Sequence, residues 1–116
     1  MNNNKSGHIA EFMARCYIRI KGYRIVAKNY ITGKGTHAGE LDFIAKKGNV
    51  LVFVEVKKRS SIENAAYAIK PNQQQRIRNA AQSFVARNPQ YQKYDIRFDA
   101  ILIAFPYHIK HIINAW

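Results

Sequence analysis

The chain has 116 residues, 47% of them hydrophobic, including seven Tyr, six Phe and one Trp. That is enough apolar material to build one core in a single domain spanning residues 1–116, without covalent staples. Its 19 Lys and Arg outnumber seven acidic residues, giving a net charge of +12, which opposes compaction by self-repulsion and points to a polyanionic partner, nucleic acid first. An acidic membrane is the weaker candidate, because no stretch approaches the ~20 apolar residues of a spanning helix and no strongly cationic amphipathic terminus stands out. The lone Cys16 excludes an intramolecular disulfide and a cysteine-rich zinc site. The polar start Met1–Gly7 lacks a signal-peptide core, so a cytoplasmic protein is expected.

From Ser6 or Gly7 onward, Ile9, Phe12, Met13, Cys16, Tyr17 and Ile20 recur at three- and four-residue spacing, and Gly22 follows as a helix-ending glycine. This predicts a first helix with that stripe against the core. Glu11 lies off the middle of the stripe, where it either complements the helix dipole or lends a carboxylate to a neighbouring element. Tyr23 to Tyr30 reads as a strand. Ile31 to Ala38, with Gly33, Lys34, Gly35 and His37, reads as a loop able to meet phosphate through backbone N–H groups and Lys34, although no phosphate-loop spacing is present.

The stretch from Gly39 to Arg59 reads as a hairpin. Val50, Val52, Val54 and Val56 alternate on one face, with Leu41, Phe43 and Ala45 expected on the matching face, and Gly48-Asn49 supplies the turn. In that register the numbers of opposed residues sum to ninety-seven, so Asp42 faces Glu55 and Glu40 faces Lys57. Like charges directly opposed on a sheet are destabilising, and the pair implies a cation between them; carboxylate oxygens are the usual ligands of Mg²⁺. A solvated strand end with an ordinary Glu40–Lys57 ion pair is the plain alternative. Four of the seven acids, Glu11, Glu40, Asp42 and Glu55, fall in or before this hairpin.

Ser60 to Lys70 is a connection, partly helical around Glu63 to Ala68. Asn72 then serves as N-cap with Gln75 at N3, and Ile77, Ala80, Ala81, Phe84 and Val85 form one face of a second helix that Asn88-Pro89 stops. Its other face offers Gln73, Gln74, Arg76 and Arg78. Asp95 to Phe105 alternates, with both faces apolar at its far end, which predicts an interior strand. His108 to Trp116 supplies a last edge strand, on which His108 and His111 fall on opposite faces and make a poor zinc pair. The fold class is α/β, a small mixed sheet flanked by helices in the order α-β-β-β-α-β-β, with the two strands bracketing the second helix parallel.

An Asp followed on the next strand by Glu-x-Lys, in a chain of charge +12, suits metal-assisted phosphodiester chemistry. Asp42 and Glu55 hold the ion, and Lys57, on the same face as Glu55, orients water or stabilises developing charge. These residues resemble the PD-(D/E)xK phosphodiesterases, which include restriction endonucleases and Holliday junction resolvases. More closely, Gly7 to Glu11, Gly22-Tyr23, Asn29, Gly39-Glu40-Leu41-Asp42, Phe53-Val54-Glu55-Val56-Lys57, Arg59, Arg97-Phe98-Asp99 and Asn114-Ala115 are similar to the YraN-like family of small bacterial proteins.

The resemblance covers nearly the whole chain. It implies a restriction-endonuclease-like fold and a Mg²⁺- or Mn²⁺-dependent nuclease acting on DNA, including branched or repair intermediates. Asp42, Glu55 and Lys57 match the catalytic core, and Glu11 matches an acidic residue on the first helix near the metal. Glu40 is implied as a partner of Lys57 or an auxiliary ligand. Leu41 stands where the wider superfamily has proline, and Gln73-Gln74-Gln75 where many relatives have lysine. Candidate nucleic-acid contacts are Lys34, Lys58, Arg59, Gln73 and Arg76. Symmetric cutting of two strands requires two sites, hence a homodimer. A binding protein that has kept the fold without turnover is the competing reading, and a basic adaptor for an acidic protein is a third.

Overall fold

A computed structural model describes the backbone of residues 3–31, 40–59, 69–105 and 108–116. The elements are α1 (Asn3–Ile20), β1 (Arg24–Ile31), β2 (Glu40–Lys47), β3 (Val50–Lys58), α2 (Pro71–Arg87), a short 3₁₀ turn (Pro89–Tyr91), β4 (Asp95–Ala104) and β5 (His108–Ile112). The five strands form one mixed sheet whose spatial order is the chain order, β1-β2-β3-β4-β5. β3 and β4 run parallel with α2 between them in sequence, and every other neighbouring pair is antiparallel. This is the expected α-β-β-β-α-β-β arrangement, and it is compatible with a small restriction-endonuclease-like fold. Among the described residues no helix is long and apolar enough to cross a membrane.

The β2–β3 turn sets the register. Gly48 has φ of 59°, as the first central residue of a II′ turn requires. From Lys47–Val50 to Phe43–Val54 every paired sum is ninety-seven. Alternation along β3 and β4 then divides the core. Leu51, Phe53, Ala100 and Leu102 join Ile77, Ala81 and Phe84 of α2 on one face. Val52, Val54, Ile101 and Ile103 join Ala10, Ala14 and Ile18 of α1 on the other.

Three expectations are corrected here. On α1 the buried positions are Ala10, Ala14 and Ile18, while Ile9, Phe12 and Ile20 are 43%, 58% and 85% exposed. The packed face is rotated by one residue, about 100°, from the line through the large side chains. The small alanines let the helix axis lie close to the sheet, with Met13 and Tyr17 packing at the margin. Second, α2 begins two residues earlier than expected: Lys70, not Asn72, is its N-cap and Pro71 occupies the first helical position, where its fixed φ fits and its missing N–H costs nothing. Third, Leu41 packs with Ile44 on the α2 face, not with Phe43 and the valines; β2 changes phase between them.

β4 is covered on both faces, and it carries a charge in that setting. Asp99 is fully buried. Its carboxylate accepts two bonds from Arg97, at 2.9 and 2.8 Å, and the Asn114 N–H at 3.0 Å. His111 Nε2 lies 2.7 Å away, and Arg97 also donates to the Tyr23 hydroxyl at 2.6 Å. Burial pushes the Asp99 carboxyl up, but His111, Arg97 and the Asn114 amide outweigh it and hold the group below the usual carboxylate range. The same contacts raise Arg97. This cluster ties β4 to β5 and to the start of β1.

Candidate functional site

At the end of the β2–β3 ladder the backbone pairing stops and side chains take over. The last ladder pair is Phe43–Val54. One residue on, the Asp42 carboxylate itself accepts the Val56 N–H at 2.7 Å, occupying the place of a strand partner. Neighbouring Glu55 is 5% exposed. It contacts Asp42 through a side-chain hydrogen bond and accepts the side-chain amide of Gln73, from the first turn of α2. From α1, Glu11 hydrogen-bonds to Asp42, with His8 Nδ1 3.9 Å from its carboxylate. Asp42 is thus the middle member of a chain of three carboxyl groups drawn from α1, β2 and β3.

Carboxyl groups this close cannot all ionise cheaply. Burial, then the hydrogen bond and charge of Glu55, push the Asp42 carboxyl up to about 8 against the opposing Val56 N–H. Burial and Asp42 push Glu11 up to about 7, with His8 and Arg15 opposing. Between the ordinary carboxylate range and these values the folded chain holds protons that the unfolded chain has released. Folding stability therefore falls as pH rises from about 4 to about 8. Asp42→Asn keeps an oxygen for the Val56 amide and cannot ionise. Without divalent ions, this variant should melt above wild type at about pH 9 and level with it at about pH 4. Equal melting temperatures at both pH values would count against the shared protons.

These groups open onto a cavity of about 270 Å³ lined by Asp42, Glu55, Val56, Lys57, Gln73 and Arg76. The cavity brings together Asp42, Glu55 and Lys57, as the residue pattern anticipates, and adds two cation or amide groups from α2. Lys57 is half-buried, and its ammonium has no hydrogen-bond partner among the described residues. Gln73 donates its side-chain amide to Glu55 and, half-buried, lines the cavity; Arg76 is exposed at the rim. Lys58 and Arg59 do not line the cavity. Lys58 is exposed at the end of β3, and Arg59 donates to the Lys58 carbonyl at 2.8 Å. Glu40 pairs through its backbone with Ile31 of β1, and the described ladder with β3 does not reach the expected Glu40–Lys57 pair. The Glu40 side chain, Lys34 and His37 lie outside the described residues. Among the described residues no three His, Cys, Asp or Glu groups stand close enough to enclose a metal ion as they are. The donor set is nevertheless all oxygen, with two carboxylates in contact and protons on hand to be displaced, and such a set fits a hard divalent cation.

Two features escape the sequence pattern. Gln73 looks like one of three surface glutamines, and only its place on the first turn of α2, beside the parallel strand pair, marks it. Asp99 carries a visible signal, an acid directly before the apolar run that ends β4, and Arg97 lies two residues away on the same strand, but the other members of its cluster, Tyr23, His111 and Asn114, come from distant segments.

The model of the uncharacterised protein family UPF0102 matches residues 10–103, a span that contains Glu11, Asp42, Glu55, Lys57, Gln73, Arg76 and Asp99. A UPF0102 protein of Paramagnetospirillum magneticum is 42% identical over 113 residues, covering 97% of this chain and 87% of the relative. One from Bradyrhizobium diazoefficiens is 45% identical over 112 residues, covering 97% and 81%. The resemblance to YraN-like proteins thus resolves into membership: the chain belongs to the uncharacterised protein family UPF0102.

Proposed function

We propose that this protein is a divalent-metal-dependent phosphodiesterase of the PD-(D/E)xK type that cleaves nucleic acid, DNA in the first instance. The observation that carries the reading is the contact between the Asp42 and Glu55 carboxyl groups in a cavity that Lys57 also lines, on a chain of charge +12. A protein that only bound phosphate would gain nothing from buried carboxylates facing its ligand.

Asp42 and Glu55 would hold Mg²⁺ or Mn²⁺, with Glu11 joining through its contact with Asp42. Bound there, the ion supplies Lewis-acid neutralisation of the charge that builds on a phosphodiester under attack. The chain's own groups do the rest. The Val56 N–H fixes the Asp42 carboxylate, and Gln73 orients Glu55. Lys57 offers an uncommitted ammonium to the reacting phosphate or the incoming water, and Arg76 at the rim binds the non-bridging oxygens of the strand. Occupation of the site would discharge the protons held on Asp42 and Glu11, so affinity for the ion rises with pH up to about 8.

The Gln73 amide on Glu55 also favours a second reading. It occupies a carboxylate oxygen that the ion would need, an arrangement suited to a nucleic-acid-binding protein without turnover. Incubating the protein with linear, nicked and branched DNA under Mg²⁺, Mn²⁺ and EDTA separates the two. The nuclease reading expects product with either ion and none with EDTA. The binding reading expects no product under any condition, with affinity falling steeply with salt through counterion release.

A further inference from the structure

The β1–β2 ladder breaks once beside Asp42. Lys28 pairs with Phe43 and Tyr30 with Leu41, yet Asn29 and Asp42, which lie between them in the same register, do not pair. Asn29 has φ of 49°, the left-handed region that glycine enters freely, Asn tolerates, and most side chains avoid. The effect shows in the packing. Ala27 and Tyr30 are three residues apart on β1, Leu41 and Ile44 three apart on β2, and all four pack with the α2-side core. In regular strands residues three apart point to opposite faces. Both strands therefore lose one step of pleat at the same level, the level of Asn29 and Asp42.

With its pleat intact, β2 would send Leu41 to the α1 face with Phe43 and would keep Asp42 within a backbone ladder. Instead Leu41 fills the α2-side core, and the Asp42 carboxylate turns along the sheet onto the Val56 N–H. The Asn29 side chain is exposed, so this effect belongs to its backbone conformation.

We propose that Asn29 is a positioning residue for Asp42: its left-handed backbone opens the ladder at that level and frees the Asp42 carboxylate to replace a strand partner of Val56, beside Glu55. The functional weight of this device rests on the metal-site reading above, whereas its action on the Asp42–Val56 contact stands apart from it. The test compares Asn29→Gly, Asn29→Ala and Asn29→Val by amide hydrogen exchange of the metal-free protein and by Mn²⁺ titration. Asn29→Gly should keep wild-type protection at the Val56 amide and its Mn²⁺ affinity. Asn29→Ala, and more strongly Asn29→Val, should lose Val56 protection while the Phe53 amide in the same strand stays protected. Their Mn²⁺ affinity should fall about 10- to 100-fold, as when a partner that orients a metal ligand is removed. Unchanged Val56 protection in folded Asn29→Ala overturns the proposal, and so does a loss in Asn29→Gly equal to that in Asn29→Val. Should Asn29→Val fail to fold, the Gly and Ala pair still decides. If Val56 responds as expected but wild type takes up no Mn²⁺, the positioning role stands and the metal reading falls.

Discussion

Asp42→Asn and Lys57→Ala should each reduce Mg²⁺-dependent DNA cleavage by about 10³-fold or more, while the affinity for DNA changes by no more than about threefold. Asp42 accepts the Val56 N–H and meets both Glu55 and Glu11. An amide at that position preserves the shape of the cluster and removes the charge a cation needs. Lys57 lines the cavity, its ammonium without a partner among the described residues, so its truncation leaves no buried charge behind. The chain carries 19 Lys and Arg, so on the proposed reading the loss of one is a small part of its attraction for phosphate. Steady-state cleavage and fluorescence anisotropy with the same duplex provide the two readouts. Cleavage by both variants at the wild-type rate would assign turnover to other residues or to a contaminant.

Asp99→Ala should be the most destabilising single change outside the apolar core, at about 3–5 kcal/mol, because it leaves Arg97 and His111 without the carboxylate they surround. The His111 side chain is only 6% exposed, so water cannot readily replace the lost partner. The sign of the pH effect is opposite to that of Asp42. The Asp99 carboxyl is held below its ordinary value, so its contribution is present above the unfolded pKa, near 4, and is lost as pH falls through the folded one. Urea unfolding at neutral pH measures the loss. Cleavage per folded molecule should stay at the wild-type level, since Asp99 belongs to the α1-side cluster around Tyr23 and His111 and does not line the acid cavity. A cost under about 1 kcal/mol would mean that the buried cluster is solvated or rearranged in solution.

How far residues alone lead can be judged element by element. The β2–β3 register was legible because a two-residue turn and strict alternation admit few solutions, and it brought Asp42 to Glu55 without any knowledge of the helices. The face of α1 was not, because Ile9 and Phe12 outrank Ala10 and Ala14 in hydrophobicity, whereas close packing on a sheet selects for size. Leu41 was placed on the wrong face because period-two reasoning has no means of seeing a left-handed residue on the neighbouring strand. Glu11 could be counted among the scarce acids, but its contact with Asp42 depends on where α1 docks. Gln73 reaches Glu55 only because the chain returns over the sheet between two parallel strands. Local pattern thus located the pair of carboxylates, and tertiary packing supplied their neighbours.

The interruptions in β1 have a consequence of another kind. β1 is an edge of the sheet, and an open edge is a template on which another strand can add its hydrogen bonds. The irregularity between Ile25 and Ala27 and the left-handed Asn29 divide β1 into two-residue runs, Arg24–Ile25, Ala27–Lys28 and Tyr30–Ile31. Two residues of regular strand offer too little continuous backbone for a second sheet to zip onto. The opposite edge, β5, is only five residues long and carries His108, Lys110 and His111. Both borders of the sheet thus discourage edge-to-edge growth, which would matter for a chain that crowds along a polyanion, as the proposed function implies. A symmetric pair of such molecules would have to meet through helices or loops, not by extending the sheet.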